Sequence, residues 1–264
     1  MHIVHAFSWP AAVDPFGVAA GTGDCGSREA AAQVLEGAVV RARSVTPDCR
    51  ITPRLLIGPA IQVILDQARE ADLVVLGNRG LGRLRGLLSP SVGAHVVARA
   101  TCPVTVVHPF RNVAPGPSAA RVVVGVDGSW PSIGAVGYAF QAAAQRGIGL
   151  TALHAWTPRG PADLEGTVDD ENANEGTERR VLDEALAVWT RGFPHVAVEP
   201  KLVRAHPAHA LITESAGAAL TVVGSRGRGG IRGTVLGSVS RILLRHTHSP
   251  VAVLRARPAR TAAG

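Results

Sequence analysis

Aromatic residues, sulfur and lysine are scarce in this chain. Phe, Trp and Tyr account for 4% of its 264 residues, there is one methionine, and Lys201 is its one lysine. So few aromatics argue against an aromatic-rich β-sandwich. Cys25, Cys49 and Cys102 form neither a Cys-x-x-Cys pair nor an even set, which excludes a disulfide framework. No basic, apolar and small-residue leader opens the chain, and a reducing cytoplasm is the expected compartment. No apolar run approaches the roughly 18 to 20 residues that a bilayer span needs, so no membrane association is expected. There is no Gly-x-x-x-x-Gly-Lys-Ser/Thr sequence, which excludes a P-loop ATPase. Helix-turn-helix, zinc-finger and RNA-recognition patterns are also missing, so the net charge of +7 does not point to a nucleic-acid partner. The positive charge is mostly Arg, and part of it sits in glycine-rich segments: Arg79, Arg83 and Arg85, then Arg226, Arg228 and Arg232.

What the chain has is apolar bulk, 46% of its residues, dominated by Ala, Val and Leu. It also has a repeat. Ala71-Asp72-Leu73-Val74-Val75-Leu76-Gly77-Asn78-Arg79-Gly80 returns as Ala218-Ala219-Leu220-Thr221-Val222-Val223-Gly224-Ser225-Arg226-Gly227, an offset of 147. At the same offset, Cys102-Pro103-Val104-Thr105-Val106-Val107 answers to Ser249-Pro250-Val251-Ala252-Val253-Leu254, and His5-Ala6-Phe7 matches His154-Ala155-Trp156 at an offset of 149. The chain therefore reads as two copies of one domain, at residues 1–110 and 120–256, with a Pro- and Gly-containing linker over 111–119 and a flexible tail over 257–264.

In the second copy, short Val-rich segments alternate with helix-length ones. Strands are expected over Arg121–Val126, Leu150–Ala155, Val196–Val203, Leu220–Gly224 and Pro250–Leu254. Helices are expected from about Pro131 to Arg146 and Glu171 to Thr190, and over Pro207–Gly217 and Ser238–Arg245. Buried strands joined by crossover helices predict a doubly wound parallel sheet covered on both faces, an α/β fold with ligands beyond the strand C-termini. Long loops are expected over Pro10–Ser27 and Thr157–Asp170. The first copy has no counterpart of residues 121–149, so it lacks a first strand and a first helix. Two expectations follow: a reading frame that starts upstream of Met1, or a first half whose structure is compromised.

The chemistry concentrates in the second copy. Gly224-Ser225-Arg226-Gly227 is followed, after the nine residues 228–236, by Gly237-Ser238 at the start of a predicted helix. Glycines allow close backbone approach, and a helix N-terminus offers unpaired amides and a positive dipole end. Together these suit a phosphate, with Ser238 expected to cap the helix and donate its hydroxyl. Asp127, at the end of the first strand, is suited to ribose hydroxyls, to a metal ion or simply to capping the next helix, and Gly128 to the turn.

With these motifs in order over residues 121–255, the second copy resembles a universal stress protein domain, whose ATP-binding members carry Gly-x-x-Gly, nine residues, then Gly-Ser/Thr. The resemblance implies a five-stranded parallel sheet of order 3-2-1-4-5 with ATP over the strand ends. It also implies that Asp127 meets the ribose, that the Ala155 backbone meets the adenine, and that Val126 and Val223 line the adenosine pocket. Gly224, Gly227, Gly237 and Ser238 would hold the phosphates. In the first copy Gly77 and Gly80 remain, but Pro90-Ser91 stands where Gly-Ser would be, and Pro90 has no N–H to offer. One nucleotide site per chain is expected, with Mg²⁺ accompanying the nucleotide through Asp127 or the phosphates.

The remaining candidates are read as ordinary. His5, His154, His206, His209, His246 and His248 join no compact ligand set, so no metal site is assigned. Ser129, Ser225 and Ser238 have no evident His-Asp relay, and no residue is assigned to catalysis. Arg226 and Arg228 could reach phosphate oxygens, but solvated loop arginines are the commoner outcome, and Cys102 is read as a small buried residue at a strand start. The sequence thus points to a cytoplasmic stress-response protein binding ATP as a regulatory ligand, assembled as a homodimer or as an intrachain pseudo-dimer. Two alternatives stay open. One is a slow ATP hydrolase or adenylyl-transfer enzyme on the same fold, and the other is a nucleotide-free scaffold pairing through its final strands.

Overall fold

The computed structural model describes residues 1–7, 24–77, 92–108, 114, 116, 118–157, 168–228 and 236–255. Asn78, Arg79, Gly80, Pro90, Ser91, the residue 257–264 tail and most of both long loops lie outside these residues. The chain packs as two compact units, Met1–Glu70 and Ala71–Gly264. No helix among the described residues is long and apolar enough to cross a membrane.

The first unit contains β1 (His2–Phe7), α1 (Asp24–Val45), β2 (Thr52–Ile57) and α2 (Ala60–Ala68). β1 and β2 pair in parallel from His2 opposite Thr52 to Phe7 opposite Ile57. α1 presents Ala31, Leu35 and Val39 as a buried stripe, at the four-residue spacing that keeps side chains on one helix face.

The second unit holds β3 (Val74–Gly77), α3 (Val92–Arg99) and β4 (Val104–Val107), then the whole second copy. That copy runs through β5 (Val122–Val126), α4 (Trp130–Arg146), β6 (Leu150–Trp156), α5 (Val168–Gly192) and β7 (Val198–Arg204). It ends with α6 (Pro207–Glu214), β8 (Leu220–Gly224), α7 (Ser238–His246) and β9 (Val251–Leu254). These strands form one sheet of order β3-β4-β9-β8-β5-β6-β7. The second copy's share is the expected 3-2-1-4-5 arrangement. α4 and α5 pack together on one face, and α6 packs with α7 on the other.

Local chemistry sets the boundaries. β5 is Val-Val-Val-Gly-Val with every valine buried, as a central strand covered on both faces requires. α4 follows Ser129 as N-cap with Pro131 in its first turn, and it stops at Gly147, whose φ of 63° is the left-handed cap geometry. α5 begins at Val168, earlier than the Glu171 expected, so the loop after β6 is shorter than the pattern suggested. The first long loop likewise ends by Asp24, where α1 starts. Within the second copy, α4 and α5 meet closely at Gly137, where a Cβ would fall 2.4 Å from the Trp189 ring.

The first copy is divided. β1 and β2 pair only with each other, while β3 and β4 extend the second copy's sheet. In the second copy, β5 stands between β6 and β8. Among the described residues of the first copy no strand stands between the counterparts β1 and β3, which share no neighbour. Burial differs as well. Val222 is fully buried against Ala135, Val136, Ala139 and Phe140 of α4, whereas its repeat partner Val75 is 59% exposed. Leu220 and Leu73 differ similarly, at 4% and 41%.

β4 joins β9 antiparallel, with Val104 opposite Val253, Thr105 opposite Ala252 and Val106 opposite Val251. Thr105 and Ala252 are repeat equivalents, so a local two-fold axis runs through that pair and each copy presents the same strand to the other. Cys102 is buried just ahead of β4. The end of the segment read as linker is fastened to the second copy. Gly116 N–H donates to Ala216 O at 2.7 Å, Ala120 N–H to Gly217 O at 2.8 Å, and the Ser118 hydroxyl to the buried Glu214, whose carboxylate also pairs with Lys201.

The packing contrast is testable. Val222→Thr buries a hydroxyl among apolar side chains and is expected to destabilise the second unit by about 1–3 kcal/mol. Val75→Thr is expected to stay within about 0.5 kcal/mol of the parent. Denaturant midpoints of the two variants check this, and equal losses would contradict the assigned burial.

Candidate functional site

Three β-strands end side by side, and each contributes a turn. β5 ends in Val126 and passes into Asp127-Gly128-Ser129. Asp127 does not cap α4 directly, because that position is Ser129. Instead, Asp127 Oδ1 accepts from the Ser129 N–H at 2.9 Å and from its hydroxyl at 2.6 Å. The Asp127 N–H donates to Ser132 Oγ at 3.1 Å, fixing the turn from the other side. Gly128 has φ 70°, the left-handed region that glycine adopts without strain.

β8 ends in Gly224, where a Cβ would lie 2.9 Å from the Pro131 backbone carbon and 3.0 Å from the Ser132 nitrogen. The glycine therefore lets the β8 end lie against the start of α4. At Gly227 a Cβ would meet Asp127 Oδ2 at 2.3 Å, so the two turns touch, and the Arg228 N–H donates to that same oxygen at 3.2 Å. α7 opens beside them. Its N-cap is Gly237, not Ser238, and no side chain caps the helix. The expected capping role of Ser238 is thus corrected: Ser238 is the first helical residue. The Gly237 N–H is itself engaged, donating to Ser225 O at 2.8 Å, while the Ser240 hydroxyl donates to Gly224 O at 2.7 Å. The first-turn amides of α7 have no intrahelical acceptor, and that turn has no acidic residue, so its positive end faces the cleft uncompensated.

These turns enclose a cavity of about 760 Å³. Val126, Asp127, Ala155, Val223, Gly224, Gly227, Gly237 and Ser238 all line it, so residues from four separate segments meet at one place. Its volume lies within the range of small-molecule sites, and it sits beyond the C-terminal ends of a doubly wound sheet.

The cavity is also lined by Arg226 and Arg228, and by groups that the sequence did not single out: Trp156, Glu178, Val239 and Arg241. His154 is buried behind it. Its Nδ1–H donates to Val126 O at 2.6 Å, and its Nε2 lies 2.6 Å from Glu178 Oε2. Glu178 also faces Arg228 Nη1 at 3.6 Å. His154 thus has one carboxylate partner, which the spacing did not reveal, and Arg228 is part of a network across the cleft. Trp156 carries the Arg204 guanidinium over its ring at 5.8 Å. Among the described residues, no group of three or more His, Cys, Asp or Glu is arranged to hold a metal ion.

The model of the universal stress protein family matches residues 1–108 and 119–255. The chain belongs to that family. Universal stress protein Rv2623 of Mycobacterium tuberculosis is 39% identical to this universal stress protein over 225 residues, 85% of this chain and 74% of that one. Universal stress protein Rv2005c of the same organism is 40% identical over 227 residues, 84% of this chain and 76% of that one. A universal stress protein structure from Archaeoglobus fulgidus shares the fold, with a TM-score of 0.63 and 19% identity over 97% of this chain and 87% of that one.

Gly224 supplies the site's stability test. Gly224→Ala places a methyl against backbone atoms of α4 that have no rotamer with which to retreat. A loss of about 1–3 kcal/mol is expected, read as a lower thermal midpoint. An unchanged midpoint would show that the β8 end and α4 are not held this closely.

Proposed function

We propose that this universal stress protein binds ATP in the second copy's cavity and uses it as a regulatory ligand. The observation that carries the reading is the convergence of the eight residues on one cavity. They come from β5, β6, β8 and the α7 start, and the sequence motif had assigned them to one nucleotide. Polyphosphate suits the end at Gly224, Gly227 and α7, where close-approach glycines, uncapped first-turn amides and Arg226, Arg228 and Arg241 combine. The Gly237 N–H is committed to Ser225, so Gly237 contributes shape and turn geometry, and the amides that follow it contribute the donors.

Asp127 accepts three hydrogen bonds at its carboxylate, two from Ser129 and one from the Arg228 backbone. A carboxylate has about four acceptor positions, which leaves one for a ribose hydroxyl. The same occupancy favours Mg²⁺ held by the phosphates over Mg²⁺ held by Asp127. Adenine fits the Val126, Ala155 and Val223 side, where Trp156 adds an aromatic surface. The reading as a sensor rather than a hydrolase draws on the same bonds, because the cavity carboxylates Asp127 and Glu178 are both tied to neighbours and neither is poised to take a proton from water. Pairing of β4 with β9 supports assembly of the two copies as an intrachain pseudo-dimer.

Calorimetric titration with ATP tests the proposal. Saturable binding at one site per chain is expected. Asp127→Ala should weaken it by about ten- to hundredfold, the size of a lost hydrogen bond to a charged group. Gly237→Pro suits the local φ of −68° but removes the bond to Ser225 O, and it should abolish binding while the circular dichroism spectrum is retained. Absence of ATP binding to the parent protein would sink the reading and favour the scaffold alternative. Single-turnover hydrolysis that depends on Asp127 would favour the enzyme.

A further inference from the structure

We propose that Glu178 is the resting partner of Arg228 and that a phosphorylated ligand takes Arg228 away from it, so that occupancy of the cavity is relayed to α5. The inference rests on the nucleotide reading and adds the route by which occupancy leaves the site.

The two ends of the network are held very differently. Glu178 is fixed from behind: its Oε2 lies 2.6 Å from His154 Nε2, and His154 is anchored at 2.6 Å to the β5 carbonyl of Val126. Arg228 faces the same oxygen at 3.6 Å, an ion-pair separation longer than a hydrogen bond, and its side chain is 39% exposed. The Arg228 backbone is tied down at Asp127 Oδ2, so the side chain can change partner without moving the loop. Its path to Glu178 crosses Gly128, where a Cβ would come within 2.4 Å of the Arg228 guanidinium. Glycine at the start of the β5–α4 turn thus serves this crossing as well as the turn itself.

Arg228 directly follows Gly227, at the end of the cavity assigned to phosphates. A phosphate carries more charge than a carboxylate and accepts the guanidinium fork at two oxygens, so it outcompetes a partner held only at ion-pair distance. α5 is placed to register the exchange. Its middle turns are anchored by Leu182 and Leu186 in the core, while Asn174 and Glu175 near its start are exposed. Glu178 meets Arg228, and Val181 one turn further along α5 lies against Gly128. Release of Arg228 removes one of these attachments from the less buried half of the helix, where local opening costs least.

The test compares ATP with adenosine on the full chain, using calorimetry and amide hydrogen exchange. Glu178→Gln removes the competitor, so ATP is expected to bind about two- to fivefold more tightly, the range of a partly exposed ion pair, while adenosine affinity is unchanged. In the parent protein, ATP is expected to raise exchange across the first half of α5 and adenosine is not. Arg228→Gln is the second variant: ATP should weaken several-fold, adenosine should not, and exchange in α5 should be raised without ligand. Equal shifts for both ligands in either variant would assign Glu178 and Arg228 a purely structural role and overturn the proposal. ATP binding to the parent with unchanged exchange in α5 would overturn the relay alone. If the parent bound neither ligand, the nucleotide reading would fail and the relay with it.

Discussion

Strand β5 is hydrogen-bonded along both edges, to β6 on one side and β8 on the other. In a parallel sheet a central strand has no substitute, because its two neighbours come from opposite directions of the winding and meet only through it. β5 is also short and almost wholly valine, so it contributes little except burial and its ladders to β6, over Val122–Val126, and to β8, over Val122–Val124. Much of the functional end follows from its position. The turn at its C-terminus brings Asp127 against Gly227, and its Val126 carbonyl holds His154. The helix that follows it covers Val222 and lies against Gly224. The cavity is the gap above β5 between strands that diverge to either side, which is why residues far apart in sequence share it.

Among the described residues, the first copy's four strands form a two-stranded pair, β1 with β2, and a two-stranded extension of the second copy's sheet, β3 with β4. The extension holds because β4 has another partner in β9. That antiparallel seam is symmetric about Thr105 and Ala252, and Val104, Val106, Val251 and Val253 are all buried there. Burial of a strand that would otherwise be an edge removes a row of unpaired backbone groups from water-facing competition. Among the described residues, β3 is the outermost strand on that side, and Val75 within it and Leu73 just before it are exposed.

Much of this was legible in the sequence because repeats, alternation and glycine spacing are local signals. The offset of 147 identified equivalent strands, and the Val-rich segments gave their parallel, doubly covered character. The Gly-x-x-Gly and Gly-Ser pair marked which strand ends would meet. What was not legible depends on three-dimensional register. Glu178 is one acidic residue among Glu175, Arg179, Arg180, Asp183 and Glu184 on a helix that reads as a solvated face, and nothing in its spacing sets it apart. His154 carried no ligand pattern, since its partner lies 24 residues on, in a different element. Ser238 was read one position out because helix caps are decided by backbone geometry, and Gly237 has the extended geometry of the cap. Pairing through the final strands was open from the duplication, but its antiparallel register was not legible, because one strand's outer edge looks the same whether it faces solvent or its own duplicate.

Asp127 and Glu178 bring two carboxylates to a cavity that also carries Arg226, Arg228 and Arg241, so part of its positive charge is offset by its own side chains. A partly balanced cleft keeps its arginines in place without ligand, and it makes an incoming polyanion compete with internal partners instead of filling an unopposed positive field. Affinity is lowered by that competition, while the difference between the filled and empty states is enlarged. On the proposed reading, Glu178 opposite Arg228, backed by the buried His154, lowers affinity and gives α5 a contact that bound nucleotide changes.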